Sequence, residues 1–226
     1  MSRLFIALFI FGLSQISIAQ SKSLSSFTSI STSGSVQVEL VKGNSPKADY
    51  TIIKGNEEDL FIEVKGQELT VKIKSKNSMW NRSETKAKVT VYYQTLSDID
   101  CSAGSSIKAD VEIVSTSMVI ESSSGANCSV KVKSTDVNID CSSGSKVSVS
   151  GTASAVNFDA SSGARIDAIA LVASDAVADV SSGASISLYA SKKLNADASS
   201  GGSIKYKGNP EKTNIHSGVS GSIKSF

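Results

Sequence analysis

Apolar and polar residues alternate along most of this chain, and a short motif that recurs about every twenty residues organises the alternation. The motif is an acidic residue, a small residue and then Ser-Ser-Gly or a close variant, as in Asp140 to Gly144. Its glycines step by 21, 19, 19, 20, 18 and 20 residues, and they are Gly104, Gly125, Gly144, Gly163, Gly183, Gly201 and, in a degenerate last copy, Gly221. A period of this length is typical of architectures in which successive repeats stack.

Alignment of the repeats on the glycine places apolar residues at the same positions in each copy. The position three residues after the glycine holds Ile107, Cys128, Val147, Ile166, Ile186 and Ile204, and the position five before it holds Ile99, Ile120, Ile139, Phe158, Ala178 and Ala196. Polar residues fill the positions between them, and this period of two predicts strands with one buried face. Glycine suits the bend between two such strands because it reaches positive φ at no steric cost.

The pattern therefore predicts an all-β fold, a single-stranded right-handed parallel β-helix with coils of about 20 residues. In such a helix each strand pairs with its equivalent in the next coil, and stacking buries a core that no single repeat forms alone. A left-handed β-helix is the competing architecture. It requires a regular six-residue apolar period, which spacings of 18 to 21 residues do not keep.

The residues before 97 alternate less regularly, with strands predicted at 50–53, 60–64, 69–73 and 88–93. A polar interruption at 75–86 contains Trp80 and the sequon Asn81-Arg82-Ser83, and we expect an exposed loop there. The predicted organisation is an N-terminal β segment with the first coils at 20–96, followed by regular repeats and a C-terminal cap at 97–226. Together they form one continuous domain.

The start of the chain predicts export. Arg3 is followed by an apolar run at 4–13 and by small residues up to Ala19, so we expect a signal peptide at 1–19 that is cleaved after Ala19. A buried N-terminal helix is the alternative. The apolar run is short for a bilayer, and no later stretch is long enough to cross one. The expected location is the periplasm, the outer cell surface or the extracellular space, with no transmembrane segment in the mature chain.

The overall charge of the chain limits the classes of partner that it can be expected to bind. The chain has 23 basic and 21 acidic residues, so nothing indicates a nucleic-acid partner.

Cys101 and Cys141 share one position of the repeat but lie two coils apart, about 9.6 Å at the usual strand spacing. A disulfide requires Cα atoms within about 7 Å. Cys128 occupies a different, core-facing position, so we expect no disulfide within the chain.

These features together resemble the bacterial family described as putative auto-transporter adhesin, head GIN domain. The resemblance spans about 27–224 and rests on the signal peptide, the N-terminal strands, the Ser-Gly repeats and the ending at 206–210 and 217–223. It implies an exported β-helical protein of the cell envelope. It supplies no catalytic residues to carry over to this chain.

The acidic position of the motif, four residues before the glycine, is the strongest candidate site. Its members are Asp100, Glu121, Asp140, Asp159, Asp179 and Asp197. Stacked coils would align these carboxylates about 4.8 Å apart, at a cost of roughly 1 kcal/mol per neighbouring pair in water. A hard cation such as calcium could bridge neighbouring carboxylates, and no other cofactor is indicated. The alternative is a solvated stripe, relieved by water and by lysines such as Lys108, Lys146 and Lys205.

Catalysis is not favoured by the sequence. The only histidine, His216, aligns with the apolar column of Ala178 and Ala196, so neither a nucleophilic site nor a zinc site is indicated. A carbohydrate-active β-helix enzyme, either a polysaccharide lyase or a glycoside hydrolase, is the alternative and could use Asp159 with Arg165 and Asp167. Residues 104–201, however, contain no long insertion that would build a cleft.

The sequence thus predicts a non-enzymatic exported β-helix module that serves surface binding, adhesion or envelope structure. The expected partner is an envelope glycan or an envelope protein. A second alternative is a scaffold that binds another envelope protein.

Overall fold

The computed structural model describes residues 20–74 and 84–226. The predicted signal peptide, Trp80 and the sequon lie outside the described residues. A short 3-10 helix, Glu57–Asp59, precedes the fifth strand. The strands are β1 Gln20–Ser23, β2 Ser29–Ser33, β3 Val36–Lys42, β4 Lys47–Lys54, β5 Leu60–Lys65, β6 Glu68–Ile73, β7 Lys86–Tyr93, β8 Asp98–Ser102, β9 Ser106–Val114, β10 Ser117–Ser122, β11 Asn127–Cys141, β12 Lys146–Ala160, β13 Arg165–Val180, β14 Ser185–Ala198, β15 Ser203–Lys207, β16 Lys212–Ser217 and β17 Ser222–Ser225.

The strands wind into a β-helix of about seven turns, with equivalent positions about 19 residues apart, which confirms the predicted fold class. The long strands β11 to β14 each run from one turn to the next, and each pairs in parallel with its equivalent in the neighbouring coil. Ile99, Ile120 and Ile139 are consecutive register partners. All three are buried, so the apolar columns of the sequence form the core directly.

The Ser-Ser-Gly motif forms a tight turn in which two successive residues have positive φ. In one coil these are Ser124, with φ of 50°, and Gly125, with φ of 72°. The amide of Ala126 donates to the carbonyl of Ser123 at 3.0 Å, as expected for a type I′ turn. The Gly125 amide in turn donates to the carbonyl of Ser143 at 3.1 Å. The turns therefore stack along the helix through their own hydrogen bonds.

The N-terminal segment continues the same sheets and closes that end of the helix. Strands β2 and β3 pair in parallel with β8 and β9 on one side and with β6 and β7 on the other. Beyond these, β5 pairs with β6, β4 with β7 and β1 with β4, all antiparallel. Hairpin-like antiparallel strands thus replace the parallel coils at this end, and Phe27 is buried beneath them in the core.

The C-terminal residues form one more coil, in which β16 pairs with β14 and β17 with β15. In this coil the positive φ falls on Ser220, at 58°, and Gly221 takes the place that follows the turn. The true step is therefore 19 residues, and His216 pairs with Asp197 while Ile215 pairs with Ala196. The prediction that placed His216 in the apolar column is wrong by one residue. Its side chain is exposed, like every residue of β16.

The cysteines lie in the core where the repeat places them. Cys101 and Cys141 are the register partners on either side of Ser122, and Cys128 pairs with Ile107 in another column. All three thiols are free and buried. A hydrogen bond with Cys101, together with burial, raises the pKa of the Cys128 thiol well above its ordinary value. The structure thus brings two columns into contact that the sequence alone kept apart.

Candidate functional site

Six carboxylates line up along one exposed side of the β-helix, and we call this row the acidic ladder. Each member lies near the end of the strand that precedes a Ser-Ser-Gly turn. The register pairs are Asp100 with Glu121, Glu121 with Asp140, Asp140 with Asp159, Asp159 with Asp179 and Asp179 with Asp197. All six positions that the sequence singled out therefore share one column, one strand spacing apart.

A residue without a carboxylate follows each end of the acidic ladder in the same column, a serine at one end and a histidine at the other. At the N-terminal end Ser31 pairs with Asp100, and its hydroxyl donates to Asp100 Oδ2 at 3.0 Å. At the C-terminal end the column continues to His216. Sequence reasoning missed both neighbours. The histidine was concealed by the shortened step of the last coil, and Ser31 lies outside the regular repeats.

The middle of the ladder carries the electrostatic cost. Partial burial raises the pKa of Asp159, and the charge of Asp140 raises it further. Burial also raises the pKa of Asp179, with added contributions from the charges of Asp197 and Asp159. Both side chains remain largely exposed, so water screens much of the repulsion. The carboxylates therefore influence one another, as their spacing requires.

The lysines expected to neutralise the ladder lie elsewhere in the described structure. Lys108, Lys146 and Lys205 all follow the turn rather than precede it, and Lys108 pairs instead with Asp110 at 2.7 Å. None of the ion pairs within residues 20–74 and 84–226 includes a member of the acidic ladder. The charge of the ladder is thus left to solvent or to a ligand.

The ladder is a line of carboxylates rather than a cage. In the part of the chain that the structure describes, no group of three or more His, Cys, Asp or Glu residues could hold a metal ion. A cation bound here would be shared by two neighbouring carboxylates and would complete its coordination with water. Calcium binding by this column stays a prediction.

A second polar column runs beside the acidic ladder, two residues earlier on each strand. The Asn157 amide donates to Asn138 Oδ1 at 2.9 Å, and the Asn214 amide donates to Asn195 Oδ1 at 3.0 Å. Val177 separates the two asparagine pairs. This column was not predicted from the sequence, although Asn138, Asn157 and Asn195 each lie six residues before a motif glycine. Amides and carboxylates thus form adjacent rows on one face, which we call the polar face.

The three residues considered for hydrolysis lie in three different columns, and Arg165 has Lys146 and Ser185 as its register neighbours. Asp159 has Asp140 and Asp179 as its register neighbours, whereas Asp167 has Ser148 and Ser187. They therefore lie in different columns, on strands that precede and follow the turn. The groove beside the N-terminal end of the acidic ladder has a volume of ≈ 210 Å³ and is lined mainly by polar residues. A surface of this kind suits contact with a ligand better than enclosure of a substrate.

Comparison with known proteins identifies relatives of the chain. A family model described as "Putative auto-transporter adhesin, head GIN domain" matches residues 26–210. No match was found among curated proteins. Within residues 20–74 and 84–226, the structure contains no helical segment with the length and hydropathy of a membrane-spanning helix.

Solved structures share the fold. A putative adhesin from Bacteroides fragilis NCTC 9343 is similar with a TM-score of 0.81 and 21% identity, covering 94% of this chain and 98% of that one. A putative lipid binding protein from Parabacteroides distasonis ATCC 8503 has a TM-score of 0.75 and 22% identity, with 92% and 96% covered. A putative adhesin from the same organism has a TM-score of 0.70 and 17% identity, with 92% and 96% covered. At these identities the likeness establishes the shared fold.

Proposed function

We propose, from the fact that the chain belongs to the putative auto-transporter adhesin, head GIN domain family, that it is an exported, non-enzymatic module that binds a cell-envelope ligand through its polar face. The observation that carries the proposal is the pair of adjacent rows, one of carboxylates and one of amides. The asparagines and four of the six carboxylates are exposed, whereas Asp100 and Asp197 are half-buried, and neighbouring members of a row lie one strand spacing of about 4.8 Å apart.

The chemistry of the polar face favours a ligand rich in hydroxyl groups. Carboxylates accept hydrogen bonds, and the side-chain amides of asparagine both donate and accept them. Because carboxylates recur in six successive coils and asparagines in four coils, a polymer with repeating polar units could meet the same contacts several times, and weak contacts would add through avidity. An envelope glycan has this chemistry. An envelope protein remains the other partner class, and the module would then act as a scaffold.

A binding screen of the purified protein tests the proposal. We expect it to retain one or more glycans from an array of envelope polysaccharides, and to leave them intact in lyase and hydrolase assays. The double variant Asn157→Ala/Asp159→Ala should weaken retention, because it removes one amide and one carboxylate from neighbouring rows.

A matched control is Ser148→Ala/Asp167→Ala, which removes a hydroxyl and a carboxylate that follow the turn. Equal loss in both variants would contradict a site on the polar face. Cleavage of a bound polysaccharide would overturn the non-enzymatic reading. Retention of an envelope protein alone, lost in the polar-face variant, would replace the glycan with a protein partner.

A further inference from the structure

A pair of stacked lysines marks the C-terminal end of a different column of the β-helix. Lys205 on β15 and Lys224 on β17 are register partners, so their Cα atoms lie about one strand spacing apart. The column continues through Ser187 to Asp167 in the preceding coils. Both lysine side chains are exposed. The structure therefore holds two positive charges side by side at this position.

Among the described residues, no acidic side chain forms an ion pair with either of these lysines. Within residues 20–74 and 84–226, none of the ion pairs includes Lys205, Lys224 or the nearby Lys207. Asp167 is the acidic member of the column, but Ser187 separates it from Lys205, so it lies about two strand spacings away. The two ammonium groups consequently repel each other, and a bound anion would reduce this repulsion.

Apolar groups adjoin the lysines. Phe226 is 59% exposed, and its amide donates to the carbonyl of Tyr206 at 3.1 Å, which fixes its backbone against β15. The Lys207 ammonium lies 5.0 Å from the centroid of the Phe226 ring. Ile169 approaches from two coils away, where the register between β13 and β14 shifts after Ala168. A large aromatic ring is thus held at the surface beside two lysines that have no ion pair within the described residues.

These residues enclose a groove of ≈ 510 Å³, which we call the C-terminal groove. Lys205 and Lys224 form its polar side together with Ser187 and Asp167, so two ammonium groups face one carboxylate, and Ile169 and Phe226 form its apolar side. The volume falls within the usual range for small-molecule sites, about 300–1,000 Å³. Charge and apolar surface are therefore combined in one concavity large enough for a ligand that carries both.

We propose that the C-terminal groove binds an anionic amphiphile. The phosphate or carboxylate head group lies between Lys205 and Lys224, where it accepts charge-assisted hydrogen bonds from both ammonium groups. The alkyl chain lies against Ile169 and the ring of Phe226, and covers apolar surface that is otherwise exposed to water. The site is separate from the polar face, so a test of amphiphile binding does not depend on whether the polar face binds a glycan.

Isothermal titration calorimetry with small probes tests this assignment. Decyl phosphate, used below its critical micelle concentration, should bind with one site per chain. Inorganic phosphate carries the charge without an alkyl chain, and decyl maltoside carries the alkyl chain without a charge. Each should bind at least tenfold more weakly than decyl phosphate. Decanoate distinguishes a carboxylate head group from a phosphate. The double variant Lys205→Gln/Lys224→Gln should raise the Kd for decyl phosphate at least tenfold, and Phe226→Ala should raise it several-fold.

The chain offers a matched control in Lys146→Gln/Arg165→Gln. These two cations are also exposed register partners, so the control removes the same net charge from a site outside the C-terminal groove. It should change the Kd less than twofold. An equal loss in the control would show diffuse electrostatic attraction, and equal binding of inorganic phosphate would show an anion site without an amphiphile. Either result, or the absence of binding by decyl phosphate, would overturn the proposal.

Discussion

Replacement of Asp159 with asparagine tests whether repulsion within the acidic ladder destabilises the folded protein. Asp159 lies between Asp140 and Asp179 in the register, so it meets two like charges, one on each side. Asparagine keeps the shape of the side chain and removes its charge. It also resembles the neighbouring column, where Asn157 and Asn138 are hydrogen-bonded across the same pair of coils. We expect Asp159→Asn to be more stable than the parent protein at neutral pH.

The size of the gain follows from the spacing of the strands. Two unit charges about 4.8 Å apart in water repel by roughly 0.9 kcal/mol. At about 0.1 M salt, where the Debye length is about 10 Å, screening reduces this to roughly 0.5 kcal/mol. With two neighbours, the free energy of unfolding should rise by about 1 kcal/mol. The gain should be larger in low salt and should fade in high salt.

The stability gained by Asp159→Asn should depend on pH in one direction. Burial and the charge of Asp140 raise the pKa of Asp159 in the folded state. The folded protein therefore takes up a proton at higher pH than the unfolded chain, whose aspartate has a pKa of about 3.9. As pH falls through the folded-state pKa, the penalty in the parent is relieved, and it is absent below about pH 3.9. The advantage of the variant should thus be complete at neutral pH and vanish in acid.

Urea unfolding followed by circular dichroism, at neutral pH and near pH 3, measures the difference. Asp167→Asn is the matched control, because Asp167 is exposed but has Ser148 and Ser187 as its register neighbours. It should show no comparable gain. A variant at Asp159 that is no more stable than the parent at neutral pH, or an equal gain at Asp167, would refute the argument from stacked charges.

Three further predictions address the ladder, the coil geometry and the thiols. Millimolar calcium should raise the melting temperature more than sodium at matched ionic strength, and less so in Asp140→Asn/Asp159→Asn; identical melting curves in the two salts would make the column a solvated stripe. Gly151→Ala should cost roughly 3 kcal/mol in urea unfolding, because a Cβ there would lie 1.9 Å from the Val132 carbonyl oxygen, whereas Gly144→Ala, with φ of 71° and open space, should cost only about 1 kcal/mol. Equal losses would contradict the steric argument. Thiol titration under denaturing, non-reducing conditions should count three thiols per chain, and a count of one would reveal an internal disulfide.

The sequence by itself determined the repeating part of the fold. When coils stack with a nearly constant step, residues one period apart become strand neighbours, so the period also predicts which residues meet. Ile99, Ile120 and Ile139 are buried partners for this reason, and Asp140 and Asp159 are exposed partners. The alternation of period two then decides which columns enter the core. The acidic ladder could therefore be predicted in full, residue by residue.

The tertiary structure decided everything that depends on a break in the period or on contact between columns. One residue fewer in the last step moved His216 out of the apolar column and beside Asp197, because a slip of one residue turns a side chain to the other face. The antiparallel closure of the N-terminal end joins β5, β6 and β2, whose order no local pattern specifies. The C-terminal groove combines Ile169, on β13, with Phe226, which follows β17. Such contacts join residues far apart in the sequence, and only long-range strand pairing sets their geometry.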